Sequence, residues 1–159
     1  MGMGFTLAAA LKATTESSKV VVAELVPDVI EWNKGPLGEC AGYPINDDRV
    51  IVHLGDVAEL FKTKPGKERQ PEFDAILLDV DNGPEGFTHG DNNNIYSLNS
   101  LTAISQTLKP GGVLAVWSAW HDPKFTTQLK KAKYKVHTKT VRAHNGKGSK
   151  HTIYLAEKI

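Results

Sequence analysis

Eight residues, "FDAILLDV" at positions 73–80, decide the fold. The run has the length of a strand and is almost continuously apolar, as expected of a strand covered on both faces of a parallel sheet. Two runs of the same kind lie upstream, "KVVVAELV" (19–26) and "RVIVHLGD" (49–56), and "GVLAVWSAW" (112–120) lies downstream. Helical segments separate them. "PDVIEWN" (27–33) places Pro27 in a first helical turn, and "VAELFK" (57–62) reads as a short helix. "SLNSLTAISQTL" (97–108) has Ser97 as its cap and is stopped by Pro110-Gly111-Gly112; "DPKFTTQLKKA" (122–132) opens with an Asp cap and a Pro. Two alternating segments, "KYKVHTKTVRA" (133–143) and "HTIYLAEK" (151–158), flank "HNGKGSK" and predict a long hairpin. Strand and helix in alternation, then a hairpin, predict one α/β domain over residues 1–159: a doubly wound, mostly parallel sheet with an antiparallel C-terminal edge.

Bulk properties narrow the class. The chain has 159 residues, 40% hydrophobic and 23% charged, ordinary values for one globular domain. No apolar run approaches the roughly 20 residues of a membrane span, and no basic segment precedes the apolar N-terminal stretch as in a signal peptide. Cys40 is the single cysteine, so an internal disulfide framework is excluded. A cytoplasmic protein with an inert Cys40 is expected. The net charge of +1 conceals an asymmetry: from Lys124 onward nine Lys and one Arg face a single acid, Glu157. Without aromatic interleaving this tail reads as a solvated face, and nucleic acid is not an expected partner. His137, His144 and His151 recur every seven residues, a spacing that alternates faces on a strand, so no shared metal is expected.

In sheets of this type ligands bind outside the carboxyl ends of the strands. Glu24 closes the first visible strand, 20 positions beyond Gly4 of the opening "MGMGFT". Glycines alternating before the helical run "LAAALKA" suit a turn that cradles a nucleotide, and a carboxylate at that offset suits a ribose, whose two hydroxyls it can accept. Asp56 closes the next strand, placed for an adenine amino group or, on the competing reading, for capping the following helix. Asp79 and Asp81 close the third. A carboxylate at the end of a run as apolar as "AILL" is paired or functional. Crowded acids facing a glycine turn suit a cationic nucleoside such as a sulfonium, or an amine. Trp117 and Trp120 either wall the pocket or pack in the core. Tyr96, after "HGDNNN", reads as a lid residue or as one packing inward at a helix start.

The segments "VVVAELVPDVIEWN", "DDRVIVHLGD", "FDAILLDVDNGPEG" and "LKPGGVLAVWS" together resemble the spermidine synthase family of aminopropyltransferases. They resemble most closely its bacterial spermidine synthase-like relatives on the Rossmann-like class I S-adenosylmethionine methyltransferase fold. The resemblance implies an S-adenosylmethionine or decarboxylated S-adenosylmethionine co-substrate, an amine acceptor and no metal. It makes Glu24, with Leu25 beside it, the ribose contact, Asp56 and the Val57 amide the adenine contacts, Gly2 and Gly4 the glycine turn, and Asp79 both a co-substrate contact and the general base. The family's second loop aspartate falls on Asn82, beside Asp81, so Asp81, Asn82 and Tyr96 form the expected substrate side. A homodimer is allowed and no membrane is expected.

In that family a central strand runs directly into the glycine turn. Met1 therefore falls inside the turn, and the expected sheet lacks its first central strand, with unpaired edges on that strand's two neighbours and loosely held glycines. Two other functions stay open at this point: a methyltransferase using S-adenosylmethionine, and a non-catalytic nucleoside- or nucleic-acid-binding module, the latter using the basic tail.

Overall fold

The computed structural model describes residues 1–62, 73–80, 83, 95–144 and 147–159. Two compact units divide the chain, Met1–Leu60 and Phe61–Ile159. In the first, helix α1 (Phe5–Ala13) precedes strand β1 (Val20–Glu24), helices α2 (Pro27–Lys34) and α3 (Gly38–Ala41), a 3-10 turn (Pro44–Asn46) and strand β2 (Val50–Leu54). β1 and β2 pair in parallel, Val20 with Val50 through Glu24 with Leu54. Pro27 opens α2 as its sequence position predicts. "VAELFK" forms a 3-10 helix, Val57–Phe61, opened by Asp56, whose side chain accepts from the Ala58 amide.

The second unit carries strands β3 (Phe73–Leu78), β4 (Leu108–Ser118), β5 (Tyr134–His144) and β6 (Lys147–Lys158), with helices α4 (Leu98–Thr107) and α5 (Pro123–Lys131). Its sheet order is β3-β4-β6-β5: β3 and β4 are parallel, and β6 runs antiparallel to both β4 and β5. Ser97 caps α4 by accepting from the Ser100 amide at 3.1 Å, and Asp122 caps α5 by accepting from the Lys124 amide at 2.8 Å. The core is built from α4, α5 and the strands: Leu101, Ile104, Leu114, Val116, Leu129 and Tyr154 are all fully buried.

Two expectations are corrected. Pro110-Gly111-Gly112 lies inside β4 rather than between a helix and a strand, because α4 already ends at Thr107. The triplet is absorbed as an irregularity: β3 pairs Phe73 with Leu108 and then Ala75 with Val113, and Gly111 takes φ +75. Nor is β3 covered on both faces. Ile76 and Leu78 are buried while Ala75 and Leu77 are exposed, the alternation of a strand that packs only one face inward.

Among the described residues no ladder joins β1 to β3, and β1–β2 and β3-β4-β6-β5 stand as separate sheets.

Candidate functional site

The glycine turn is tied down, contrary to the expectation that it would be loose. Gly2 and Gly4 both take left-handed conformations, φ +56 and +81. The Asn33 side chain, fully buried on α2, donates to the Gly2 carbonyl at 2.8 Å and to its own helix at the Val29 carbonyl, also at 2.8 Å. Gly4 has no room for a side chain: a Cβ would lie 2.9 Å from Asn33 Oδ1 and 3.1 Å from Pro44 Cγ. Asn33 is the positioning residue that sequence reasoning missed. A lone Asn within a helix carries no local mark of a bond reaching back 31 residues.

Glu24 stands at the carboxyl end of β1 with its side chain mostly enclosed, 12% exposed. Its Oε2 accepts from the Met1 ammonium at 2.9 Å and its Oε1 from the Val26 amide at 3.0 Å. Burial pushes its pKa up, but the ammonium bond and charge, together with the Val26 and Leu25 amides, outweigh burial and hold the carboxyl below its ordinary value. The Glu24 carbonyl accepts from the Gly55 amide at 2.9 Å, tying the ends of β1 and β2 together. Leu25 next to it is 69% exposed. Asp56 follows Gly55, and one of its oxygens accepts from the Ala58 amide at 2.8 Å. The capping reading of Asp56 is therefore realised through that one oxygen. Val57 begins the 3-10 turn so capped. In this unit the glycine turn, Glu24 and Asp56 form a connected set at the carboxyl ends of two paired strands.

The second unit brings together the carboxyl ends of β3 and β4. Asp79 lies one residue past the last paired position, Leu78 with Val116, and is exposed. Tyr96 is buried and packs inward, so the reading of Tyr96 as a mobile lid is replaced by its alternative. Its ring meets Phe125 edge-on at 5.6 Å, its hydroxyl donates to the Val80 carbonyl at 3.2 Å, and its carbonyl accepts from Gln128. Ser118, fully buried at the end of β4, lies against Gly83, where a Cβ would approach its Oγ to 2.6 Å. Its hydroxyl has no hydrogen-bond partner among the described residues. Trp117 stacks at a tilt on His151, 5.0 Å between ring centres, while Trp120 is 43% exposed. Asp81 and Asn82 lie outside the described residues.

Among the described residues no cluster of three His, Cys, Asp or Glu has metal-binding geometry, and no helix is long and apolar enough to cross a membrane.

Comparison with known proteins places this arrangement. The family described as Spermine/spermidine synthase domain matches residues 3–145. A spermidine synthase crystallised with the transition-state analogue AdoDATO is similar in fold, with a TM-score of 0.70 at 20% identity over 99% of this chain. The spermidine synthase of Thermotoga maritima matches equally, at 0.70 and 19% identity over 99% of this chain. Human methyltransferase-like protein 13, solved with SAH, gives 0.66 at 19% identity, covering 96% of this chain and 68% of that one. This chain spans about half the length of the two spermidine synthases, 50% and 51%. No curated protein sequence matches it.

Proposed function

Because the chain belongs to the spermine/spermidine synthase domain family, we propose that it binds an S-adenosyl-type nucleoside and serves aminopropyl transfer to an amine. The observation that carries this reading is the family match across residues 3–145, with Glu24 and Asp56 at the carboxyl ends of the parallel pair β1–β2 and Asp79 just past the end of β3. Glu24 accepts the ribose hydroxyls, Gly2 leaves room for the ligand's approach, Gly4 holds the turn against α2, and Leu25 offers an apolar contact. Asp56, with one oxygen spent on the Ala58 amide, keeps the other for an adenine amino group, beside the Val57 amide. The residues present fit such a ligand: a turn with glycines at Gly2 and Gly4 lies beside an ionised, mostly enclosed carboxylate.

In the reaction the amine nitrogen forms a bond to the carbon beside the sulfonium, the carbon–sulfur bond breaks, and the electron pair leaves with sulfur as a neutral thioether. The attacking nitrogen must be deprotonated to act, and Asp79 receives that proton. Asp81 and Asn82 hold the cationic acceptor. Tyr96 fixes the Val80 carbonyl and so steadies the chain next to Asp79.

Two measurements test the reading. Calorimetry comparing decarboxylated S-adenosylmethionine with S-adenosylmethionine is expected to favour the former; preference for the carboxylated nucleoside transfers the same acids to a methyltransferase. Asp79→Asn is expected to lower turnover with an amine acceptor by about 10²–10⁴-fold while nucleoside binding persists. Unchanged turnover removes Asp79 from the role of base.

A further inference from the structure

We propose that the outer half of the terminal hairpin is a contact arm for nucleic acid, in which Lys139, Arg142, Lys147 and Lys150 meet the phosphodiester backbone without reading sequence. β4 pairs with β6 only over Thr152–Glu157, whereas β5 follows β6 out to His144 against Lys147. The stretch beyond Thr152 is therefore a two-stranded ribbon that projects past the rest of its sheet. Arg142, Lys147 and Lys150 lie on it and Lys139 stands at its base, opposite Ile153; all four are exposed. From Tyr134 through Leu155 the sequence contains no Asp or Glu.

The register makes the charge distribution specific. Arg142 stands directly opposite Lys150, so two cations share one face of the ribbon at the closest cross-strand distance. Like charges so opposed destabilise a hairpin. Arg142 donates to the Gly148 carbonyl at 3.1 Å, and none of the four cations has a carboxylate partner among the described residues. By contrast Lys135, nearer the sheet, faces Glu157 at 3.5 Å. Lys135 is thus balanced at the inner end of the hairpin, while the four cations of its outer half are not. An anionic partner offsets the repulsion that the free arm carries.

The chemistry of the arm selects the partner. Protein interfaces take their energy from buried aromatic and aliphatic anchors, and the projecting part offers only Val141 and Ala143 as apolar residues. Thr140 and Ser149 add hydroxyl donors of the kind that bind phosphate oxygens. A two-stranded ribbon also has the width that a duplex major groove admits. The spread-out basic tail seen in the sequence becomes, once folded, a concentrated arm.

The test is anisotropy of a labelled mixed-sequence duplex titrated with the full chain across a salt series. Four phosphate contacts predict a log K against log salt slope of about −3.6, or about a hundredfold loss between 50 and 200 mM salt. The variant Arg142→Gln/Lys147→Gln/Lys150→Gln is expected to bring the slope to about −1. Its thermal midpoint should hold or rise, because the opposed cations are gone. Should that variant fold poorly, Lys150→Thr alone should reduce the slope by about one. Absence of binding at low salt, or a slope that the variants leave unchanged, overturns the proposal. So does displacement of the duplex by polyglutamate at equal charge, which marks an acidic protein site, or stronger binding to phosphatidylserine vesicles.

Discussion

Gly4 and Gly2 look alike in the sequence and are held to different standards by the fold. Both sit at positive φ, which costs a side-chain-bearing residue about 1–2 kcal/mol. Only Gly4 also faces a wall, with Asn33 Oδ1 and Pro44 Cγ where its Cβ would be, while nothing lies within 4 Å of the corresponding point at Gly2. Gly4→Ala is therefore expected to destabilise by about 2–4 kcal/mol and Gly2→Ala by about 1 kcal/mol, read from urea unfolding midpoints. Equal costs would show that the Asn33 wall yields. Tyr134 supplies a second residue-level test. Burial pushes its phenol up to about 12 from an ordinary 10, against a weaker opposing hydrogen bond with Ser105. A raised pKa means the folded state prefers the neutral form: its contribution is whole below pH 10 and is lost as pH rises toward 12. Tyr134→Phe should flatten stability over that interval, at a cost of about 1 kcal/mol at neutral pH for the bond to the Leu101 carbonyl. Thermal melts across the alkaline range decide it. The positions of Glu24 and Asp79 at strand ends were legible beforehand because strand ends are local and acids there are conspicuous. Asn33 was not, because its work is done on a backbone atom far away in sequence.

At the scale of elements, the clearest starts are those written in a few consecutive residues. Ser97, Pro27, and Asp122 with Pro123 announced their helices, and each cap or first-turn proline lies where expected. Pro110-Gly111-Gly112 misled for a related reason. It is strong punctuation locally, but β3 pairs with β4 on either side of it, at Leu108 and at Val113, so the strand absorbs it as an irregularity. α5 shows how a local cap becomes a tertiary one. Asp122 accepts from Lys124 with its side chain, while its own amide donates to the Tyr154 hydroxyl at 2.6 Å, and that hydroxyl donates back to the Asp122 carbonyl at 3.2 Å. Asp122→Ala should cost about 1 kcal/mol, the usual worth of a cap. Tyr154→Phe should cost more, about 1–3 kcal/mol, because it strands a buried amide donor. Denaturant unfolding of the two variants ranks them, and the reverse order would mean that the side-chain cap dominates the junction.

For the whole molecule, the alternation of strands and helices could be read because each element is written locally, whereas the division into two compact units depends on which strands find partners. β3 ends its sheet, and its outward Leu77 is 52% exposed. In the first unit no residue of β1 or β2 is buried, and Ile51 and Leu54 are 47% and 55% exposed. Strands this apolar are normally covered on both faces, and an open edge with an apolar face is a template for another strand. Association through these edges should therefore rise with concentration. Leu77→Lys places a charge on the edge strand where a side chain already meets solvent, so its cost in stability should stay within about 0.5 kcal/mol. Light scattering over a concentration series is expected to show less association for this variant than for the parent chain. If scattering is unchanged while Ile51→Lys reduces it, the contact belongs to the first unit; if neither changes it, the open edges are not where copies of the chain meet.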